Sequence, residues 1–480
     1  MKGKRYLAKN IGLLTISQFG TKLLTFFLVP LYTNVLSTQE YGSYDLFATT
    51  TSLLIPIFTL NITEAVLRYS LDDNETIRKK VFSVGLKYSL VGTVLISVTA
   101  ILNHVFNIFQ TIDKYWYYLP LLFILTMINT LFLYFARGIN RVKETAIGGG
   151  ICSAVMIILN IFFLLGLKIG IHGYFWAQML AMLVQAVYLF ISCKMWIYVG
   201  FPRDKILEKE MIKYSVPIIA NTVSWWINNS SDRYIITWIC GVSANGIYSV
   251  AYKIPSIINT FQSIFFQAWT LSAVKDFDSE DKSGLFTDTY NLYNCGMTII
   301  CSLLIIFTKI LAKILYAKEF YEAWKYAPFL TIALVFGAMS GFEGAVFSAV
   351  KDTKAYARTT VVGAAVNIIL NIFLVFMIGP MGAAVATAFS YFLVWILRTI
   401  QVRKYIKINI HYTRDILSYM ILIIQAFVLY QVEENSAQCL CGAGLFFVIT
   451  ILYYRVLKNI GGKLIDILKS RLENRRILNE

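Results

Sequence analysis

Two polar stripes run along one long apolar segment of the sequence, from about residue 212 to 239. The first stripe has the i, i+4, i+7, i+11 spacing of one helical face, and its members are Asn221, Trp225, Asn228 and Asp232. The second follows one position later and consists of Thr222, Trp226, Asn229 and Arg233. A guanidinium binds anions, whereas amides and aromatic rings suit sugar hydroxyls and sugar faces. The combination favours a ligand that carries both an anionic group and a glycan, such as a lipid-linked phosphate with a sugar chain.

The charges in these stripes lie about twenty residues from the N-terminal, predicted cytoplasmic end of the segment. Adjacent helical residues point about 100° apart, so Asp232 and Arg233 are not ideal partners, and each should have another neighbour or water. Exposing one such charge to lipid costs roughly 2.5–3.5 kcal/mol, so the stripes should face protein or a water-filled cavity. Pro217 and Pro255 indicate kinked helices around that cavity.

Other apolar segments also carry polar residues. Lys22 lies near the middle of the first segment, with Gln18 on the same side. Lys22 and Arg233 are too deep to reach the interface easily, which favours a functional role for both. Three other positions have two interpretations. Lys253 is either a cavity cation or a residue that reaches the interface, and Glu343 is either a gate partner or an interfacial acid. Glu64 with Arg68 is either part of the polar site or a plain interfacial ion pair at i, i+4 spacing.

These residues must be positioned by membrane-spanning helices, because the chain is 58% hydrophobic and only 15% charged. Apolar segments of roughly 18 to 28 residues recur along its length, each long enough to cross a bilayer. We count about fourteen of them. Their approximate bounds are 7–31, 43–66, 82–103, 115–136, 146–166, 171–198, 212–239, 246–270, 291–316, 327–349, 359–379, 382–402, 414–431 and 440–458.

The net charge of +16 reflects topology and not nucleic-acid binding. Most Lys and Arg residues fall in alternate connections, including 68–80, 137–143, 194–213 and 398–414. The positive-inside rule then predicts that both termini are cytoplasmic. The first apolar segment is too long for a cleaved signal and should remain as a span.

Cysteine and histidine patterns predict no metal site and no cofactor. The seven cysteines lie mostly in or near spans, as small apolar residues do, and the three histidines are scattered. No Walker A sequence is present, so ATP is not the expected energy source.

An internal repeat organises the chain. MIILNIFFLLGLKIGIHG from Met156 resembles NIILNIFLVFMIGPMG from Asn367, with Asn160 aligned to Asn371. A weaker echo relates EYGSYDL from Glu40 to NGIYSVA from Asn245. The offset of about 211 residues covers six predicted helices, so the two copies should have parallel topology. We predict an N-lobe at 1–205, a C-lobe at 206–405, and two further helices with a basic tail at 406–480, with the substrate site between the lobes.

The sequence resembles the polysaccharide flippases of the MOP (multidrug/oligosaccharidyl-lipid/polysaccharide) exporter superfamily, especially the Wzx-type flippases of O-antigen and exopolysaccharide. The resemblance covers essentially the whole chain. It is carried by KNIGLLTISQFGTKLLTFFLVPLYTNVLSTQEYGSYDL, then AVLRYS, then SDRYIITWICGVSANGIYSVAYKIPSI, in the family's order and spacing.

The resemblance implies an all-α membrane fold like that of MATE transporters and the lipid II flippase. Two six-helix lobes would surround a cationic central cavity, with two extra C-terminal helices. Members move undecaprenyl-diphosphate-linked oligosaccharides from the inner to the outer leaflet of the bacterial cytoplasmic membrane by alternating access. By the same resemblance, Lys22, Arg68 and Arg233 match the diphosphate-binding positions. At the first of these a lysine departs from the family's arginine and lacks its fork of donors.

Two rival functions remain at this point. One is a MATE-type drug or ion antiporter on the same fold, which would depend on buried acids. The other is a membrane enzyme that polymerises or acylates glycans, which would need a large outer loop or a histidine in mid-span. We therefore predict a transporter and not an enzyme, with the lipid bilayer and a lipid-linked oligosaccharide as partners and polysaccharide polymerase machinery as a further one. Asp232, Glu64 and Glu343 are the predicted residues for gating or ion coupling.

Overall fold

The computed structural model describes residues 26–200, 204–432 and 435–458, and within these ranges the chain is helical with no β-strand. The α-helices are α1 (Val29–Val35), α2 (Thr38–Phe58), α3 (Ile62–Tyr69), α4 (Glu75–Phe106), α5 (Gln110–Asp113), α6 (Tyr118–Gly138), α7 (Val142–Asn160), α8 (Gly170–Ser192), α9 (Lys205–Cys240), α10 (Val242–Ala251), α11 (Ser256–Lys275), α12 (Leu285–Leu315), α13 (Ala327–Ala349), α14 (Thr353–Ile378), α15 (Pro380–Val402), α16 (Tyr412–Gln431) and α17 (Asn435–Leu452). A π-helical turn at Ile161–Gly166 extends α7, and 3₁₀ turns lie at Met195–Ile197 and Lys318–Lys325.

This is the fold of a multi-pass membrane protein. In the described ranges, 9 helices are long and apolar enough to cross a bilayer, and a bent pair raises the number to 10. The predicted number of fourteen is not reached by this measure. One reason is that α9, although 36 residues long, carries the two polar stripes, which lower its hydropathy. Most of the first predicted span, 7–31, lies outside the described residues.

The predicted span at 43–66 is not one continuous helix, because α2 and α3 meet at a bend of 63°. Pro56 lies in the last turn of α2, where its missing N–H weakens the helix. Leu60 and Asn61 then take positive φ values of 54° and 51°, a conformation in which a helix does not continue. Residues near the end of this segment therefore belong to a separate short helix.

The predicted span at 246–270 is also interrupted. Helix α10 ends at Ala251, and α11 begins at Ser256, directly after Pro255. A residue that precedes proline is steered away from the helical conformation, which explains why α10 does not run into α11. Lys253 lies in the turn between them, where its N–H donates to the carbonyl oxygen of Val250 at 2.9 Å.

The two echoed segments, at the start of α2 and in α10, pack against each other. A Cβ atom on Gly42 would lie 2.2 Å from the carbonyl oxygen of Val242, and one on Gly246 would lie 1.9 Å from that of Thr38. The side-chain amide of Asn245 donates to the carbonyl oxygen of Gly42 at 3.3 Å. Glycine at both positions is what allows this close helix contact.

The two copies of the stronger repeat, which begin at Met156 and Asn367, contain the same hydrogen bond from an asparagine side chain to the backbone carbonyl four residues earlier. Asn160 donates its side-chain amide to the carbonyl oxygen of Met156 at 2.7 Å, and Asn371 does the same to Asn367 at 2.9 Å. Both asparagines are fully buried.

The chain forms two compact units. The first comprises residues 1–253, 312–323 and 360–386, and the second comprises 254–311, 324–359 and 387–480. The first has its core around Phe47, Phe123 and Phe175, and the second around α13, which is buried along almost its whole length. The division into lobes at 205 and 405 stays a prediction.

Candidate functional site

Asp232 is held by three hydrogen bonds in the first unit. Its Oδ2 accepts from the hydroxyls of Tyr248 at 2.8 Å and Tyr252 at 2.9 Å, and its Oδ1 accepts from the N–H of Arg233 at 3.0 Å. The residue is only 2% exposed. A buried carboxylate requires such donors, so Asp232 joins α9 to Tyr248 in α10 and to Tyr252 directly after that helix.

Arg233 has a different partner. Its Nε lies 2.9 Å from Oδ2 of Asp45 in α2, and its Nη1 donates to the carbonyl oxygen of Asn229 at 3.0 Å. The guanidinium also stands over the ring of Tyr252, 5.0 Å from its centre. The expectation that Asp232 and Arg233 have separate neighbours is therefore confirmed.

Asp45 was missed by the sequence reasoning. Its Oδ2 also accepts from the hydroxyl of Ser249 at 2.7 Å. The available signal was an acid inside the apolar run 43–66, and Asp45 aligns with Ser249 when Gly42 is matched to Gly246. The structure thus joins equivalent positions of the weak echo by a hydrogen bond.

Trp226 of the second stripe and the neighbouring Tyr234 face α2. The indole N–H of Trp226 donates to the carbonyl oxygen of Thr49 and the hydroxyl of Ser52, both at 3.1 Å, and the hydroxyls of Tyr234 and Thr50 are hydrogen-bonded. In the first stripe, the buried amide of Asn228 donates to the carbonyl oxygens of Ser224 and Thr360, at 3.0 and 3.4 Å.

The remaining stripe residues are more accessible. Asn221 and Trp225 are half-buried, and Asn229 is exposed. The amide of Asn229 donates to the carbonyl oxygen of Trp225 at 2.8 Å. Their role in binding a ligand stays a prediction.

Other predicted site residues are dispersed. Lys22 and Gln18 lie outside the described residues. Arg68 is exposed at the end of α3, while Glu64 accepts a hydrogen bond from the hydroxyl of Tyr134 at 3.4 Å. Among the described residues Glu64 and Arg68 form no ion pair, so that interpretation is wrong. The tyrosine of α6 offers the carboxylate a hydrogen bond, while the arginine faces outward.

Glu343 belongs to the buried core of the second unit, 1% exposed, and is therefore not an interfacial acid. Its Oε1 accepts from the hydroxyl of Thr399 at 2.5 Å, whereas its Oε2 has no hydrogen-bond partner among the described residues. Arg398, placed by its sequence position in a basic loop, is instead fully buried within α15. Its Nε donates to Thr359 at 3.1 Å and its Nη1 to the carbonyl oxygen of Ser340 at 2.8 Å.

A second arginine of this unit is also fixed. Arg414 directs Nε and Nη2 to the same oxygen of Asp415, at 2.9 and 2.7 Å, and Nη2 also donates to Asn291 at 2.6 Å. Asp415 is fully buried. A cavity of about 1470 Å³ lies beside Arg414, which lines it together with His411 and Arg455. Neither the pair nor the cavity was foreseen from the sequence.

Removing the hydroxyls that hold Asp232 should destabilise the first unit. Tyr248→Phe and Tyr252→Phe each remove one donor from a buried carboxylate, which costs about 1–3 kcal/mol, and the double variant should lose more than either. The measurement is the unfolding temperature of the purified protein in detergent. Tyr214→Phe, at an exposed tyrosine, is the matched control. Equal unfolding temperatures for all four variants would contradict this account of Asp232.

The profile of the polysaccharide biosynthesis protein family matches residues 7–270, more than half of the 480 residues, and the chain belongs to this family. A 239-residue stretch is 24% identical to the uncharacterized membrane protein MJ1068 of Methanocaldococcus jannaschii. That match covers 45% of this chain and 45% of the relative, so it spans less than half of the relative's length.

Solved structures share the fold over nearly the whole chain. The lipid II flippase MurJ in an inward closed conformation superposes with a TM-score of 0.70 at 16% identity, covering 93% of this chain and 99% of its own. An inward-facing multidrug resistance MATE transporter of the MOP superfamily gives 0.63 at 13% identity, covering 88% and 100%. A MOP superfamily transporter from Pyrococcus furiosus gives 0.56 at 14% identity, covering 88% and 97%. The predicted all-α membrane fold class is confirmed, although its count of fourteen helices is not.

Proposed function

We propose that this protein is a flippase that moves undecaprenyl-diphosphate-linked oligosaccharides from the cytoplasmic to the outer leaflet of a bacterial membrane by alternating access. The substrates would serve O-antigen or other surface polysaccharide synthesis. Membership of the polysaccharide biosynthesis family supports a substrate that carries a glycan, and the fold supports a transport function. The observation that carries the proposal is Arg233, a cation within the 36-residue helix α9 whose guanidinium contacts the protein through Nε beside Asp45 and one bond to a backbone carbonyl.

In this proposal Arg233 binds the diphosphate, helped by Lys22, Arg68 and Lys253. Gln18, Asn221, Trp225, Asn228 and Asn229 would contact the glycan. The two proposed lobes, 1–205 and 206–405, would alternate around this site, with both termini in the cytoplasm. The polysaccharide polymerase machinery would receive the product. An inside-negative membrane potential favours outward movement of an anion by about 2.3 kcal/mol per charge per 100 mV, which supplies a driving force.

The decisive test is Arg233→Gln in cells whose only copy of the protein carries the change. Because glutamine keeps polarity but loses the charge, lipid-linked oligosaccharide should accumulate in the cytoplasmic leaflet, at roughly tenfold or more above wild type. Arg141→Gln is the matched control, since Arg141 pairs with Glu144 at 3.4 Å in a solvated connection. Normal levels of the lipid-linked oligosaccharide, with the variant present in the membrane at wild-type amounts, would refute the proposal.

A MATE-type antiporter is the second candidate, and one observation favours it. The cluster around Arg233 contains two acids, Asp45 and Asp232, for one cation. If proteoliposomes of the wild-type protein exchanged a cationic drug for protons or sodium, and the cells showed no glycan defect with Arg233→Gln, this candidate would replace the first.

A further inference from the structure

Two arginine–aspartate pairs in this chain differ in a way that points to different roles. Arg414 places two nitrogens on one oxygen of Asp415, and Asp415 is fully buried. Arg233 approaches Asp45 through Nε at 2.9 Å, and although both arginines are 14% exposed, Asp45 keeps 20% exposure where Asp415 has none. The first pair is locked into the protein, whereas the second is a single contact that a competing group can reach.

Both members of the accessible pair keep unused bonding capacity. Among the described residues, Nη2 of Arg233 has no bonded partner, and neither has Oδ1 of Asp45. A guanidinium has five N–H donors in a planar fork that fits a phosphate in two-point fashion. A phosphate group would therefore bind Arg233 more completely than Asp45 does.

The second acid of the cluster cannot exchange in the same way. Both oxygens of Asp232 are occupied, by two tyrosine hydroxyls and the backbone N–H of Arg233. Asp45 has one anchor besides Arg233, the hydroxyl of Ser249 at 2.7 Å. Of the two acids, only Asp45 can release Arg233 and pair with it again.

We propose that Asp45 is the internal counter-ion of Arg233, which substrate phosphate displaces and which takes its place again when the substrate leaves. This inference rests on the proposed function, and in it Asp45 is the residue that positions Arg233. The physical reason is that an unpaired arginine inside a membrane protein has a high free-energy cost. The charge of Arg233 must therefore be compensated while the transporter returns, without substrate, to its starting conformation. Competition with Asp45 also keeps phosphate binding weak enough for release.

The test is the binding of farnesyl diphosphate, a short lipid diphosphate, to the purified full-length protein in nanodiscs by calorimetry. Asp45→Asn should bind about tenfold more tightly than wild type, because the competing charge is gone. Arg233→Gln should lose most of the binding, and Asp45→Asn combined with Arg233→Gln should bind as weakly as Arg233→Gln alone. Glu208→Gln, which breaks the 2.6 Å pair with Lys87 elsewhere in the same unit, should bind as wild type.

Asp45→Asn leaves Arg233 uncompensated and can impair folding, so Ser249→Ala provides a milder variant. It frees Asp45 from its anchor and should tighten binding by a smaller factor than Asp45→Asn. If neither variant binds more tightly while Arg233→Gln loses binding, the counter-ion role is refuted and the proposed phosphate site stands. If Asp45→Asn tightens binding equally in the Arg233→Gln background, Asp45 acts only as a general negative charge, and this inference fails. If Arg233→Gln binds as wild type, or no variant binds, both proposals fail.

Discussion

Replacing Gly246 by alanine is expected to destabilise the first unit strongly and to abolish transport. The new Cβ would lie 1.9 Å from the carbonyl oxygen of Thr38 and 3.1 Å from the amide nitrogen of Gly42. Both neighbours are backbone atoms, so no side chain can rotate away, and α2 and α10 must separate. Overpacking of this kind costs about 1–3 kcal/mol, or more where the backbone cannot yield.

The separation would also carry Asp45 away from Ser249, because these residues lie on the same two helices, one turn further along. The unfolding temperature in detergent and transport in cells are the two measurements. Gly150→Ala is the matched control, since a Cβ there meets nothing within 4 Å and Gly150 also lies in a helix of the first unit. An unfolding temperature for Gly246→Ala equal to that of Gly150→Ala would show that the helices do not approach so closely.

The polar stripes of α9 were predictable because helical periodicity depends only on spacing along the chain. The separate neighbours of Asp232 and Arg233 also followed from the 100° between adjacent residues. Asp45 did not follow, because its pairing with Arg233 depends on how α2 packs against α9. A sequence pattern shows that a buried charge needs a partner, but tertiary packing selects which one.

The breaks in two predicted spans were missed for a different reason. Apolar composition continues through both breaks, so hydropathy alone reads each as one helix. Proline gives a local signal at both, Pro56 before the first and Pro255 at the end of the second, but prolines are also tolerated inside membrane helices. The left-handed conformation of Leu60 has no signature in its residue type, whereas Asn61 is a residue type that adopts it readily but not only there.

The hydrogen bonds of the three proposed coupling acids determine what a substitution at each of them would test. Asp232 is fixed by three donors, and Glu64 has a tyrosine partner, whereas Glu343 retains one buried oxygen without a hydrogen-bond partner among the described residues. Neutralising Asp232 therefore tests folding as much as coupling. Glu343→Gln keeps an oxygen to accept from Thr399 and is the cleaner test of ion dependence.

Among the cations of the second unit, replacement of Arg398 is expected to lower the folding stability most. The guanidinium lies 4.2 Å from the ring centre of Tyr356, and the next residue, Thr399, donates its hydroxyl to the buried carboxyl of Glu343. Arg398→Leu leaves the buried Glu343 uncompensated and should cost about 3–5 kcal/mol of folding free energy. Glu343→Gln alone should cost less, because Arg398 keeps its bonds to Ser340 and Thr359.

The double variant separates a coupled pair from two independent residues. When both charges are absent, no charge remains uncompensated, so Arg398→Leu with Glu343→Gln should lose less stability than the sum of the single changes. Arg403→Leu is the matched control, because Arg403 also stands over a tyrosine, Tyr412 at 4.9 Å, but is exposed, and should cost under about 1 kcal/mol. Unfolding temperatures that fall additively would mean that Glu343 does not depend on Arg398, and its unsatisfied oxygen would then have to be compensated by a proton or a bound cation.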